Sequence, residues 1–310
     1  MSRGLRGVLI VMASTMMAQG VAASTIDKLA ITTIVESVAV LADQSNFESL
    51  ERLFADPLTV DYSSLTGNEA TVKSAQALMT EWAAMLPGFD RTRHSVSNIR
   101  VNIEQSTALA TADVVAEHYI DDLFWRVEGE YRYELIKEGD TWSINAMTFI
   151  VRDEDGTREV FGPAGENAQR HPPSYIVRQQ TKRVVRTFLH ALEGKDMVTF
   201  NALWAEDAVQ HMPYSPAGHP KRVTGKPALV ELYKQWPATS GDAKFTRALV
   251  IHSMQDPQLV FAEFNGEVEI IPTGRLYQQT YGGLFHVVDG KIQLFREYYD
   301  PAPFAWAFGL

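Results

Sequence analysis

The 310-residue sequence contains no cysteine. Disulfide bridges, thiolate nucleophiles and cysteine-ligated metal sites are therefore excluded. Basic residues are also scarce, because 28 lysines and arginines stand against 38 aspartates and glutamates and leave a formal net charge of −10. A negative surface repels phosphate backbones and anionic lipid headgroups. We therefore expect no nucleic acid partner, and no membrane partner for the mature chain.

Recognisable cofactor motifs are missing as well. The pair Gly282-Gly283 lies in a strand-rich stretch, without the spacing or the following helix of a dinucleotide fingerprint. His94, His118 and Asp43 have no short metal-ligand spacing such as that of an HExxH helix. We therefore expect no cofactor and no catalytic metal.

A long apolar run is absent, but a short one stands near the N-terminus. Arg3 and Arg6 precede the stretch Val8–Ala18, and small residues at positions 21–23 follow it. Polar residues interrupt this stretch, and it is shorter than the roughly 20 apolar residues that span a bilayer. The pattern is typical of a signal peptide over residues 1–23, cut after Ala23. We expect the mature chain to be periplasmic or secreted.

The remainder of the chain repeats itself. Residues 43–62 (DQSNFESLERLFADPLTVDY) align without a gap with residues 193–212 (EGKDMVTFNALWAEDAVQHM), at a constant offset of 150 residues. Each half begins with a helical periodicity and continues with strands, of which the stretch Trp125–Leu135 alternates most clearly. Helices followed by an antiparallel meander predict the α+β class for both halves.

The boundary between the halves is expected in residues 153–172. This segment is polar, rich in glycine and proline, and shows no hydrophobic periodicity. Such a composition is typical of a linker. We therefore predict a first domain over residues 24–152, a linker over residues 153–172 and a second domain over residues 173–310.

Four polar residues of the first half suggest acid–base chemistry. His118 shares the inward register of an alanine-lined strand, His94 stands at a strand entrance, Asp43 ends a helical stretch and Tyr62 ends an apolar strand. Each has an ordinary alternative: a buried histidine bonded to a carbonyl, a loop histidine, a capping aspartate, a half-buried tyrosine. Together they predict a pocket in which histidines move protons, a carboxylate orients them and a tyrosine hydroxyl holds a carbonyl oxygen.

Residues 31–149 resemble scytalone dehydratase and related SnoaL-like members of the nuclear transport factor 2 superfamily. The resemblance rests on Asp43, on Val60–Ser64 (VDYSS), on Arg91–His94 (RTRH) and on His118. It implies a cone-shaped α+β barrel in which a curved antiparallel sheet wraps around helices. It also implies a metal-free dehydratase pocket formed by the matching aspartate, tyrosine and two histidines.

Two departures from the family pattern imply a different substrate. Ala42 stands where the family has a second pocket tyrosine. The stretch Glu128–Tyr131 lacks the serine and asparagine that the family has near the end of the pocket. We expect a small hydrophobic hydroxy-carbonyl compound.

These residues predict a cofactor-independent lyase. His94 is expected to remove a proton α to a carbonyl, Tyr62 to polarise the oxygen, and His118 with Asp43 to support departure of a β-hydroxyl as water. Two alternatives remain: an isomerase of the ketosteroid type, which shares the enolate, and a protein that binds a small hydrophobic ligand without converting it. Open sheet faces also suggest a homodimer or an internal pseudo-dimer of the two domains.

The second half resembles SnoaL-like proteins of the phenazine-biosynthesis type. The resemblance rests on Gln255–Pro257 and on Arg296–Pro301. Glu297 matches that family's pocket glutamate. An apolar environment there is expected to raise its pKa, which would suit it to general-acid catalysis. The alternation of this strand is equally compatible with Arg296 facing inward, and both possibilities stay open at this point.

The second half lacks a counterpart to the family's pocket histidine. Leu232 and Tyr233 occupy that position, and His211, which aligns with Asp61 across the repeat, is a possible substitute. The second domain is therefore either a second active domain or a degenerate, structural or ligand-binding copy. Its aromatic tail, Phe304–Phe308, is expected to cover a pocket or a dimer face.

Overall fold

The structure is a computed structural model that describes residues 25–310. The predicted signal peptide over residues 1–23 lies outside the described residues. The chain divides into two compact units, one ending at Tyr175 and the other running from Ile176 to Leu310. Within residues 25–310, no helix combines the length and the apolar character needed to cross a membrane.

In the first unit the short helices stand mostly before the long strands. Helix α1 covers residues 25–43, and the helices after it are α2 (Phe47–Glu51), α3 (Ser63–Thr66), α4 (Ala75–Ala83) and α5 (Phe161–Arg170). The strands are β1 (Phe54–Asp61), β2 (Thr71–Lys73), β3 (Arg91–Glu104), β4 (Thr107–Ile120), β5 (Leu123–Glu138) and β6 (Thr141–Gly156).

Over residues 25–175 these strands form one six-stranded sheet in the order β2-β1-β6-β5-β4-β3. Neighbouring strands from β3 to β6 are antiparallel because tight turns join them. β1 pairs with β6 in parallel, which the long intervening chain permits. The sheet is a curved, cone-like layer rather than a closed barrel, with edges at β2 and β3. Register shifts in β3–β4 and β5–β6 bend the strands and increase this curvature.

The inner face of this sheet carries the core of the first unit. Every second residue of β4 from Ala108 to Ile120 is buried, as the alternation predicts. Trp125 and Val127 of the neighbouring strand pack on the same side, together with Phe89. The small alanines of β4 leave space between sheet and helices, and this space becomes a cavity.

The second unit repeats the same plan. Its helices are α6 (Ser174–Glu193), α7 (Met197–Ala202), α8 (Lys226–Tyr233), α9 (Trp236–Thr239) and α10 (Pro301–Phe308). Its strands are β7 (Trp204–His211), β8 (Arg222–Thr224), β9 (Val250–Ser253), β10 (Leu259–Ile270), β11 (Arg275–Val288) and β12 (Lys291–Tyr298). The sheet order over the second unit is β8-β7-β12-β11-β10-β9, with β7 and β12 parallel. The predicted α+β class and the tandem repeat are therefore confirmed.

The segment 153–172 is not the unstructured linker that its composition suggested. β6 continues to Gly156, a 3-10 turn follows, and α5 extends to Arg170. Val160 and Ala164 are fully buried in the core of the first unit. The small residues of this segment serve close packing, since a helix rich in alanine and glycine can approach its neighbour closely. Composition alone does not distinguish a closely packed helix of small residues from a flexible chain.

Replacement of Gly88 by alanine tests whether α5 belongs to the folded first unit. A Cβ atom at Gly88 would lie 1.8 Å from the carbonyl oxygen of Ala164 in α5. We expect Gly88→Ala to lower the free energy of unfolding by about 1–3 kcal/mol, because one of the two backbones must move. The measurement is urea unfolding followed by circular dichroism.

Gly162→Ala is the matched control on the same helix. A Cβ atom at Gly162 meets no atom within 4 Å, and alanine favours a helix over glycine by up to about 1 kcal/mol. This variant should be neutral or slightly stabilised. Equal stability of the two variants would contradict the docking of α5.

Candidate active site

A cavity of about 230 Å³ lies between the sheet and the helices of the first unit. Aliphatic and aromatic side chains form most of its wall. Its polar lining comprises two histidines, three tyrosines, a threonine and the indoles of two tryptophans: His94, His118, Tyr62, Tyr131, Tyr133, Thr66, Trp82 and Trp125. Phe161, at the start of α5, closes part of the wall. The structure thus brings three of the four predicted residues, Tyr62 and the two histidines, to one cavity.

Asp43, the fourth, lies directly behind His94. One carboxylate oxygen accepts the Thr92 hydroxyl at 2.9 Å and lies 2.6 Å from Nδ1 of His94, while the other accepts the backbone N–H of His94 at 2.8 Å. A carboxylate at Nδ1 fixes the proton on that nitrogen and leaves the lone pair on Nε2. His94 lines the cavity, so this arrangement suits a proton acceptor.

Asp43 is held in its ionised form. Burial raises the pKa of its carboxyl group, but the hydrogen bonds from the ring and backbone of His94, with that from Thr92, outweigh burial and leave the pKa below its usual value. The ordinary explanation of Asp43 as a helix cap does not apply, because the side chain of Asn46 caps α2. Asp43 also does not bond to His118, which the predicted mechanism paired with it.

His118 is a buried, neutral imidazole. It is 4% exposed, and its ring centroid lies 5.4 Å from that of His94, with the two planes nearly perpendicular. Burial, with the charge of His94 as the next cause, lowers its pKa to about 3. Its Nδ1 atom is buried and has no hydrogen-bond partner within the described chain. Because it stays neutral, His118 suits a hydrogen-bonding role and not that of a charged acid.

Three tyrosine hydroxyls form the other polar part of the cavity. The Tyr62 hydroxyl interacts with Tyr131 and with the Trp82 indole, and the rings of Tyr131 and Tyr133 stack at 5.4 Å. Burial raises the pKa of Tyr62 and Tyr133 well above the usual value and that of Tyr131 to about 12. All three therefore remain protonated donors. Tyr131 and Tyr133 were missed by the sequence argument, although they alternate on the inward face with Trp125.

The second unit contains a larger cavity of about 320 Å³. Glu297 lines it, and Arg296 does not. A register shift between Ile292 and Leu294 puts both Ile292 and Phe295 on the buried side, and this sets Glu297 on the inner face. The question left open by alternation is thereby settled in favour of Glu297.

Glu297 is part of a short hydrogen-bond chain. Nε2 of Gln210 donates to the Tyr233 hydroxyl at 2.8 Å and to the carboxyl group of Glu297 at 3.3 Å. Burial raises the pKa of Glu297 to about 7, although the bond from Gln210 opposes this shift. His211, suggested as a substitute for the missing histidine, does not line the cavity, because the alternation of β7 turns Gln210 inward. Within the aromatic tail, Phe304 and Phe308 line this cavity.

The two units match known families. Residues 23–148 match a SnoaL-like domain, and residues 185–295 match a second SnoaL-like domain. The uncharacterized protein YesE of Bacillus subtilis is 37% identical over 125 residues, which cover 40% of this chain and 84% of that protein. The chain belongs to the SnoaL-like family. It carries two SnoaL-like domains in tandem, as the sequence predicted.

The chain is also similar to two further proteins. An uncharacterized PhzA/B-like protein of Pseudomonas aeruginosa is 26% identical over 128 residues, covering 41% of this SnoaL-like chain and 89% of its own. The crystal structure of a candidate scytalone dehydratase from Novosphingobium aromaticivorans is 18% identical, covers 44% of this chain and 92% of its own, and has a TM-score of 0.41. The family assignment leaves the roles of Asp43, Tyr62, His94, His118 and Glu297 as predictions.

The raised pKa of Glu297 predicts a pH-dependent stability. The folded state keeps a proton on this carboxyl group up to a pH of about 7, whereas the unfolded chain loses it near the ordinary value of 4.5. Stability therefore falls as the pH rises through this window. Glu297→Gln removes the titration, so its unfolding free energy relative to wild type should rise by about 1–3 kcal/mol between pH 5 and pH 8.

Urea unfolding at several pH values provides this comparison. Glu231→Gln, at an exposed position in α8, serves as the control and should follow wild type at each pH. A constant difference between Glu297→Gln and wild type across the range would show that the carboxyl group titrates normally.

Proposed function

We propose that the first SnoaL-like domain is a cofactor-independent carbon–oxygen lyase of the dehydratase type. The observation that carries this proposal is the Asp43–His94 pair, which presents a free imidazole nitrogen to a cavity that also contains tyrosine hydroxyls. A base and hydrogen-bond donors that face one enclosed space are what enolate chemistry requires.

Proton abstraction is the first step of the proposed reaction. Nε2 of His94 takes the proton from the carbon α to a carbonyl, and the ionised Asp43 stabilises the imidazolium that forms. The electron pair of the broken C–H bond moves onto the carbonyl oxygen. The protonated hydroxyls of Tyr62 and Tyr131 then donate hydrogen bonds to this developing negative charge.

Departure of the β-hydroxyl completes the reaction. The enolate electron pair forms the carbon–carbon double bond as the carbon–oxygen bond breaks. The proton held by His94 passes to the leaving hydroxyl, so the products are an unsaturated carbonyl compound and water, and His94 returns to its neutral form. His118 supports this step as a neutral imidazole that holds the hydroxyl by a hydrogen bond. This role replaces the partnership with Asp43 that the sequence suggested.

The cavity selects for small neutral substrates. Its volume of about 230 Å³ equals that of about seven or eight waters. Among the described residues that line it there is no lysine or arginine, so an anionic substrate would lack a counter-charge. Aromatic walls such as Trp125 and Phe149 favour a ring compound. We therefore propose a cyclic hydroxy-ketone as the substrate class. We also propose that the predicted signal peptide exports the protein to the compartment in which it meets this substrate.

An isomerase differs from this lyase in the last step alone. In an isomerase the proton on His94 returns to another carbon of the same molecule, so no hydroxyl leaves. His118 lines the cavity beside His94, and its Nδ1 has no hydrogen-bond partner within the described chain. This supports the lyase, because an isomerase has no departing hydroxyl that would need a hydrogen bond from the His118 ring.

One pair of probes separates these reactions. A β-hydroxy cyclohexanone and β,γ-cyclohexenone both yield the conjugated cyclohexenone, whose ultraviolet absorbance reports either reaction. We expect conversion of the hydroxy-ketone, and a decrease of kcat by about 10² or more in His94→Asn. His171→Asn, at an exposed position of the same unit, should retain wild-type activity. Full activity of His94→Asn would exclude His94 as the base, and conversion of the cyclohexenone alone would identify an isomerase.

The tyrosine hydroxyls make a separate prediction. Tyr62→Phe and Tyr131→Phe should each lower kcat by about 10²-fold with a small change in KM, because the removed donor acts on charge that develops in the transition state. Tyr119→Phe is the control, since the Tyr119 hydroxyl bonds to Glu117 and its ring does not line the cavity. A change confined to KM would assign the two tyrosines to substrate binding.

A further inference from the structure

The cavity of the second domain has a composition that the proposed lyase reaction does not use. Glu297 is the acidic residue in its wall, and no lysine or arginine is among the described residues that line it. The other titratable lining residues are Tyr233, Tyr277, Tyr281, Tyr299 and His219. Burial raises the pKa of the four tyrosines, so they stay neutral. An ionised Glu297 would therefore be a negative charge without a cationic side chain in a mainly apolar cavity.

Aromatic rings form most of the wall around this acid. Phe264 stacks on Tyr281 at 4.9 Å, and Phe304 of α10 stacks on Phe308 at 4.5 Å. Tyr277 meets Phe304 edge to face at 6.0 Å. The faces of such rings carry negative potential and attract cations, more strongly when the site excludes water. The wall therefore favours a positively charged organic group over an anionic one.

A buried acceptor without a partner favours a ligand that donates a hydrogen bond. Gln210 is fully buried, and its Nε2 is already committed to Tyr233 and Glu297. Its Oε1 is buried and has no partner within the described chain. A buried acceptor without a donor is costly, and such groups are rarely left unpaired. Gln210 lines the cavity beside Glu297, so an N–H or O–H group of a ligand in this cavity would supply the missing partner.

We propose that the second domain binds a small, mainly apolar organic amine as its ammonium ion. The ammonium N–H groups bond to Oε1 of Gln210 and to the carboxylate of Glu297, and the apolar part lies among the aromatic rings. A neutral alcohol satisfies Gln210 but leaves the carboxylate without a counter-charge. A buried ion pair is stable when its remaining hydrogen bonds are also made, as Gln210 allows on both partners.

Binding of an ammonium ion is linked to the ionisation of Glu297. The bound cation favours the carboxylate and so lowers a pKa that burial holds at about 7 in the free protein. Binding therefore tightens as the pH rises from 6 to 8, and it releases a proton from Glu297 in the lower part of this range. His219, which lines the same cavity against Phe304, is the other titratable residue there besides the tyrosines, and its contribution must be separated from that of Glu297.

Isothermal titration calorimetry on the intact two-domain protein tests the proposal. The probes are cyclohexylmethylammonium and its neutral isostere cyclohexylmethanol. At pH 8 the ammonium should bind at least about tenfold more tightly than the alcohol, which corresponds to one hydrogen-bonded, desolvated charge contact. In two buffers of different ionisation enthalpy, the wild-type protein should show proton release near pH 6.5. Equal affinity for both probes, or no proton release, would overturn the proposal.

Variants test whether Glu297 causes the preference for the ammonium ion and the proton release. Glu297→Gln should lose the preference for the ammonium and the proton release, whereas Glu231→Gln should keep both. His219→Asn should keep the proton release, because the released proton comes from Glu297. His94→Asn should also keep amine binding, because His94 lies in the first domain. Loss of binding in His94→Asn would place the amine in the other cavity and refute the proposal without affecting the lyase. Proton release is measured on the wild-type protein. The proposal is therefore tested even if Glu297→Gln fails to fold.

Discussion

A carboxylate at the end of the first helix of each domain fixes that helix to the chain beside it, to strand β3 in the first domain and to the segment before β9 in the second. Asp43 ends α1 and accepts the backbone N–H of His94 at 2.8 Å. Glu193, 150 residues later, ends α6 and accepts the backbone N–H of Thr246 at 2.7 Å, together with that of Phe245. An acid at a helix C-terminus opposes the helix dipole, so these bonds must offset that cost. They hold the helix against β3 in the first domain and against the segment before β9 in the second, and each cavity lies beside this connection.

The two domains use this shared connection differently. In the first domain the carboxylate also bonds to the His94 ring, so a structural contact orients an imidazole that lines the cavity. In the second domain the corresponding Glu193 accepts bonds from backbone N–H groups and the Thr246 hydroxyl and contacts the ring of His190, which is exposed and does not line the cavity. The acid that faces this cavity is Glu297. One scaffold thus places an imidazole in one cavity and a carboxyl group in the other. This is how a single fold supports distinct sites.

The sequence predicted the repeat, the α+β class and the inward position of His118, because alternation with a period of two determines which face of a strand is buried. It did not predict Tyr131 and Tyr133 as cavity hydroxyls, since alternation does not say which part of the buried face the helices leave uncovered. The choice between Arg296 and Glu297 depended on a register shift, and a bulge is not visible in hydrophobic periodicity. The sequence did not predict the helix over residues 161–170, because small residues are common both in loops and in helices that pack closely against a neighbour.

The positions of the two histidines also limit how protons move in the first cavity. Two imidazoles whose ring centroids lie 5.4 Å apart interact too strongly in a buried site to carry two positive charges at once. Asp43 contacts His94 at 2.6 Å and makes no bond to His118, so it places a single mobile proton on His94. A mechanism with His94 as base and a charged His118 as acid would need two protons in this space. A mechanism that takes one proton from carbon and returns it to the leaving oxygen needs one, and only His94 has the counter-charge to hold it.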